Sequence, residues 1–166
     1  MQTYGSILTG LITEENINPQ EFNKSIFNVP IENYVKPNLT LKQTLSNHVE
    51  ITTVIFSNSP KEYLLRLVKI IGIEDYIKAI YDRTFLNYLS KPNPTTFQMV
   101  LNDLNTQGEF CLIVDDKVNN LEAAKSLGMK TVLITHGINT INPSIDHKID
   151  RIEEIGEILN GYRDKK

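Results

Sequence analysis

A chain of 166 residues, 40% hydrophobic and 22% charged, suits one globular domain with at most a small appendage. A net charge of −3, a pI near 5.6 and no basic stripe argue against non-specific nucleic-acid binding. No stretch approaches the ~18 apolar residues of a membrane span, the N-terminus lacks a basic-then-apolar signal pattern, and the single cysteine, Cys111, cannot form an internal disulfide. The expectation is a cytoplasmic protein.

Residues 1–35 carry helical rather than alternating periodicity. Ile7, Leu8 and Leu11 share one helix face and Phe22, Ile26 and Phe27 another, with a polar break from Thr13 to Asn18-Pro19. This reads as a helical hairpin, either a small cap or an edge of the core. Pro30 and Pro37 bracket a connector, and Leu41 to Leu45 suggests a short helix.

From Ile51 the pattern changes. Ile51 to Phe56 is β-branched and aromatic, hence a strand, ending at Ser57-Asn58-Ser59-Pro60. The next helix is expected to start with Ser59 as N-cap, Pro60 at the first helical position and Glu62 closing a capping box. Leu64, Leu67, Val68 and Ile71 mark its buried face and Gly72 its end. A weaker strand or loop lies around Ala79 to Phe85. Lys91 precedes Pro92 and so cannot be helical, and a helix with Phe97, Val100, Leu101 and Leu104 follows. Phe110 to Val114 is a continuous apolar run, read as a strand buried on both faces. Its helix carries Leu121, Ala124 and Leu127 and ends at Gly128. Lys130 to Thr135 is the next strand, and Ile149, Ile152, Ile155 and Leu159 predict a terminal helix. The alternation implies an α/β fold, a Rossmann-like parallel sheet with helices on both faces.

Three loops at the carboxyl ends of strands carry chemistry, where open α/β sheets place their ligands. Asp115 and Asp116 end the apolar run. Paired acids there repel unless a cation compensates, and the simplest is a divalent ion held through oxygen, Mg²⁺. The alternative is a solvated acidic turn near a helix N-terminus. Ser57 and Asn58 offer a hydroxyl and amides at a helix N-terminus, a seat for a phosphate oxygen. Lys91 adds a point charge against phosphate. Taken singly, Ser57 reads as a turn residue and Lys91 as a solvated lysine; the joint order favours a site, with Asn120 four residues past Asp116 in support. His136 follows a strand and reads as a loop histidine or a substrate contact. His48 and His147 lack ligand spacing, and Cys111, inside an apolar strand, reads as inert.

In this order the motifs resemble those of the haloacid dehalogenase-like phosphohydrolases, and within them the pyrimidine 5′-nucleotidase-type branch. Val54-Ile-Phe-Ser-Asn58 resembles the second motif with its phosphate-binding hydroxyl. Lys91-Pro92 resembles the third, and Ile113-Val-Asp-Asp-Lys-Val-Asn-Asn120 the acidic fourth. Ala124 to Val132 is similar to the family's next helix and strand, and Tyr4-Gly5 with Gly10-Leu11 to the nucleotidase cap. The resemblance implies residues 1–38 as a cap-like segment and 39–166 as the α/β core. It also implies Mg²⁺-dependent hydrolysis of a small phosphorylated metabolite or nucleotide. Ser57, Asn58 and Lys91 would bind phosphate, Asp115 and Asp116 metal, and Asn120 would support them. A doubly wound response-regulator-like domain would explain the alternation but not this set.

One motif departs. In the family an Asp-x-Asp on the central first strand supplies the nucleophile; here residues 1–74 contain no aspartate, the first being Asp75. No covalent aspartyl-phosphate is expected from this chain alone, and Mg²⁺ occupancy is expected to suffer with the lost ligand. The central first strand is expected to be missing between the strands ending at Ser57 and Asp115. Those neighbours, left roughly 9–10 Å apart, would close up and pair or leave a partly open groove. Three readings follow: a truncated product of a phosphatase gene, a non-catalytic phosphate- and metal-binding or interaction module (a pseudoenzyme), or a chain whose sheet a partner completes.

Overall fold

The computed structural model describes residues 7–137 and 141–163; Tyr4 and Gly5 lie outside them, as do the side chains of Ile7 and Leu8. The fold is α/β, with parallel sheets and helices on both faces. The chain divides into two compact units, residues 1–39 with 52–91 and residues 40–51 with 92–166.

In the first unit the hairpin is helical, as its periodicity implies: α1 spans Ile7–Glu15 and α2 Pro19–Phe27. Asn18 starts α2 as its N-cap, its side chain accepting from the Gln20 and Glu21 N–H groups, with Pro19 at the first turn. β1 (Thr53–Phe56) and β2 (Ile77–Tyr81) pair in parallel, joined through α4 (Lys61–Ile71). Leu64 and Val68 are buried on α4, and Gly72 ends it at φ 83°, a left-handed conformation that glycine takes without steric cost. The start of α4 differs from expectation. Pro60 is the N-cap in an extended conformation, the helix begins at Lys61, and neither Ser59 nor Glu62 caps it. The Lys61 N–H goes instead to Asp82 Oδ2 at 3.1 Å, from the loop after β2. A carboxylate brought by the fold takes the place of the local hydroxyl.

In the second unit β3 (Leu112–Asp115), β4 (Lys130–Ile134) and β5 (His147–Ile149) form a parallel sheet in that order. It carries α5 (Pro94–Asp103) and α6 (Val118–Ser126), while α3 (Leu39–Ser46) and α7 (Ile155–Arg163) complete the helices. Phe97, Leu121, Thr96, Thr131 and Val132 are fully buried and form the core. Two expectations are corrected here. The apolar run is not a strand buried on both faces: Phe110 belongs to a 3-10 turn (Gly108–Phe110) and is 76% exposed, while Leu112, Ile113 and Val114 are half-buried. Among the described residues the one strand neighbour of β3 is β4. Ile149 lies on β5, not on the terminal helix, which starts at Ile155 after a 3-10 turn.

His48 is buried with its ring nitrogens 2.8 Å from Thr44 O and 3.1 Å from Asn160 Oδ1, a tie between α3 and α7. Among the described residues β1 and β2 form one sheet and β3, β4 and β5 another, and the segment 7–35 forms no strand.

Candidate active site

In the first unit, the end of β1 assembles three of the residues singled out in the sequence. The Ser57 N–H continues the β1–β2 pairing by donating to Tyr81 O at 2.9 Å. Its hydroxyl oxygen accepts from the Ser59 N–H at 3.2 Å. That uses Ser57 Oγ as an acceptor and leaves its proton to be donated elsewhere.

Asn58 and Lys91 latch to each other. The Lys91 N–H donates to Asn58 Oδ1 at 2.9 Å and Asn58 Nδ2 donates to Lys91 O at 3.2 Å. Pro92 favours the extended backbone that presents both groups of Lys91 to one amide. The Lys91 ammonium donates to Phe56 O at 2.9 Å and lies 4.8 Å from the centre of the Phe56 ring. A desolvated cation over a ring face is favourable. Hydroxyl, amide and ammonium therefore gather at one strand end.

The sequence reading missed Asp82 and Arg83. Asp82 is buried and accepts from the Lys61 and Phe85 N–H groups, fixing both the start of α4 and the loop after β2. Arg83 donates from Nε to Asn58 O at 2.6 Å and from Nη1 to Asn23 Oδ1 at 2.8 Å. Burial pushes its pKa below the usual guanidinium value, and the charges of Asp82 and Tyr88 oppose that. The available signal was an acid directly after a strand, the same cue that marked Asp115.

In the second unit, β3 ends on Asp115, which is buried, while Asp116 is exposed. Asp115 Oδ1 accepts from the Lys117 N–H at 2.9 Å and from Asn120 Nδ2 at 2.9 Å. Asn120, also buried, sits in the first turn of α6, which returns its amide to the strand end. A carboxylate before a helix N-terminus is favoured by the helix dipole. Among the described residues no group of three or more His, Cys, Asp or Glu is placed to hold a metal ion. Two adjacent carboxylates still suit Mg²⁺, which commonly takes one or two carboxylates and keeps several waters.

The remaining candidates stand apart. His136, at φ 48°, is exposed after β4. His147 meets the Tyr162 hydroxyl at 3.3 Å, beside a hollow of about 270 Å³ lined also by Glu157, Ile158 and Gly161 that contains none of the acids above. Cys111 lies one residue before β3 and is half-buried. Burial raises its thiol pKa, against a hydrogen bond with Thr106 that lowers it, which disfavours the nucleophilic thiolate. No helix among the described residues is long and apolar enough to cross a membrane.

A family model of haloacid dehalogenase-like hydrolases matches residues 12–128. Phosphate metabolism protein 8 of Saccharomyces cerevisiae is 30% identical over 146 residues, covering 80% of this chain and 46% of that protein. A phosphoglycolate phosphatase of Pectobacterium atrosepticum is 28% identical over 103 residues, covering 61% of this chain and 44% of that protein. The chain thus spans about half the length of these relatives. A HAD phosphatase structure from Thermococcus onnurineus shares the fold, with a TM-score of 0.65 at 22% identity over 93% of this chain and 70% of that one. Motifs, fold and family model agree: the chain belongs to the haloacid dehalogenase-like hydrolases.

Proposed function

We propose that this chain carries the phosphate- and metal-binding parts of a Mg²⁺-dependent phosphohydrolase of small phosphate monoesters, of the nucleotidase-type branch and acting in the cytoplasm. The observation that carries the reading is the two-bond latch between Asn58 and Lys91, which fixes a lysine beside Ser57 at a strand end. Ser57 donates its hydroxyl proton to a phosphate oxygen, and the Lys91 ammonium supplies a second donor and a positive charge. Asp115 and Asp116 would hold Mg²⁺, with Asn120 keeping the Asp115 carboxylate oriented. The ion, when bound, would supply positive charge at these acids. The polypeptide of 166 residues does not turn over by itself, because it contains no Asp-x-Asp to supply the nucleophile.

Calorimetric titration of the whole chain with inorganic phosphate, with and without MgCl₂, tests the proposal. The expected result is saturable binding strengthened by Mg²⁺ and weakened about tenfold or more by Lys91→Ala, the scale of one lost charge-assisted hydrogen bond. No heat at millimolar phosphate rejects it. Hydrolysis of p-nitrophenyl phosphate by the chain alone would overturn its inactivity.

A further inference from the structure

We propose that Arg83 is a positioning residue that ties helix α2 to the phosphate-binding loop, so that the placement of the hairpin and the affinity of that loop for phosphate are coupled.

Arg83 occupies an unusual place for a half-buried cation. Its charge is not neutralised by a bidentate carboxylate; both of its donor bonds go to neutral acceptors on different elements. One is the main-chain carbonyl of Asn58. The other is the side chain of Asn23 on α2, and the guanidinium also lies 5.4 Å from the ring centre of Phe27, on the same helix. Burying a guanidinium is costly unless its donors are met, so loss of either acceptor acts on the other bond.

The two ends of this bridge differ in strength. On the loop side, Asn58 gives its carbonyl to Arg83 and its whole side-chain amide to Lys91. A shift of the Asn58 peptide therefore moves the latch that holds Lys91 and the neighbouring Ser57. On the helix side, α2 has no fully buried residue; it packs against α1 and through the Phe27–Tyr63 ring contact at 5.0 Å, and the Arg83 fork adds a polar tie to these partial contacts.

Arg83 itself stands on a fixed frame. Leu86 is fully buried, Asp82 holds the Phe85 N–H, and Arg83 O accepts from the Tyr88 N–H at 2.8 Å. That turn forces Asn87 and Tyr88 to φ 52° and 61°, a left-handed conformation costly for a bulky residue and sustained only when its surroundings enforce it. A rigid base, a planar fork and a weakly anchored helix make a lever. Lysine could not replace the fork, since a single ammonium does not match its two-armed geometry. By linkage, whatever stabilises the loop stabilises the hairpin and the reverse. That phosphate is what stabilises the loop rests on the function proposed above; the bridge does not.

The test cuts the bridge at its helix end, on an element with no fully buried residue, where misfolding is least expected. In the ligand-free whole chain, Asn23→Ala should accelerate amide exchange at Ser59 and Lys91 about tenfold, the scale of one hydrogen bond to a charged group. Neither amide touches Asn23. Asn23→Asp, which keeps the acceptor, should retain slow exchange, whereas Asn23→Leu, which keeps the bulk without the acceptor, should behave as Asn23→Ala, a split that a merely bulky role for the side chain would not predict. Arg83→Lys should behave as Asn23→Ala. In calorimetry with inorganic phosphate, Asn23→Ala should weaken binding several-fold. Unchanged exchange in Asn23→Ala, or unchanged phosphate affinity in a variant whose parent binds phosphate, overturns the coupling. A parent that binds no phosphate defeats the proposed function instead, and the ligand-free exchange still decides the bridge.

Discussion

At the scale of single residues, Asn120 shows how a buried carboxylate at a strand end is held. Its Nδ2 gives Asp115 Oδ1 a buried hydrogen bond of 2.9 Å. Asn120→Leu keeps a comparable volume but removes that donor, while the Lys117 N–H bond to the same oxygen stays. The expected loss is about 1–3 kcal/mol of stability by urea denaturation, the scale of a lost bond to a charged group. A weaker Mg²⁺ titration should accompany it, and unchanged stability would show that the bond contributes nothing. The placement of Asn120 was legible because the first turn of a helix lies beside the strand end that precedes it. Ser57, Asn58 and Lys91 were legible for similar local reasons, a strand end and a following proline. Asp82 and Arg83 were not. Their partners, the Lys61 N–H and the Asn23 side chain, lie 21 and 60 residues away, and no local pattern records such a contact.

At the scale of elements, periodicity located the long helices and the apolar strands because burial of one face is a local property of spacing. It failed where tertiary partners overrode local chemistry: Asp82 displaced the Ser59 cap, and Ile149 joined a sheet rather than a helix. The short β5 is held by such a partner. Asp146, just before it, accepts from the Thr131 N–H at 2.9 Å and hydroxyl at 3.1 Å and from Lys125 Nζ at 2.6 Å, linking β5 to β4 and α6. Burial works to raise its pKa, but the bonds from Lys125 and Thr131 outweigh it and hold the carboxyl below its usual value. The folded state therefore takes up this proton less readily than the unfolded chain. The stabilisation is whole above the ordinary carboxylate range and is lost as pH falls through the depressed folded value. Asp146→Asn should lower the urea midpoint at pH 7, where the Lys125 pair is charged, and should flatten the decline that the unmodified chain shows below about pH 4. Parallel acid limbs in the two proteins would remove Asp146 as a contributor.

At the scale of the whole molecule, the strand–helix alternation was legible, whereas the division into two parallel sheets was not, because strand pairing is decided by residues far apart in sequence. Among the described residues β1 and β3 each have one strand neighbour, β2 and β4 respectively. A strand edge accepts an added strand through main-chain hydrogen bonds, with side-chain fit setting specificity. The half-buried Leu112, Ile113 and Val114 offer apolar side chains beside such an edge. We therefore expect a synthetic peptide, an apolar strand ending in Asp-x-Asp, to complement this chain in trans. Mixing the two should yield Mg²⁺-dependent hydrolysis of p-nitrophenyl phosphate that neither shows alone. Changing the first peptide aspartate to asparagine should abolish it by removing the nucleophile. Lys91→Ala in the chain should reduce it at least about tenfold by removing the donor proposed for the phosphate. Activity that survives the peptide substitution would point to a different nucleophile, and continued inactivity of the mixture would remove completion in trans as the way this chain gains function.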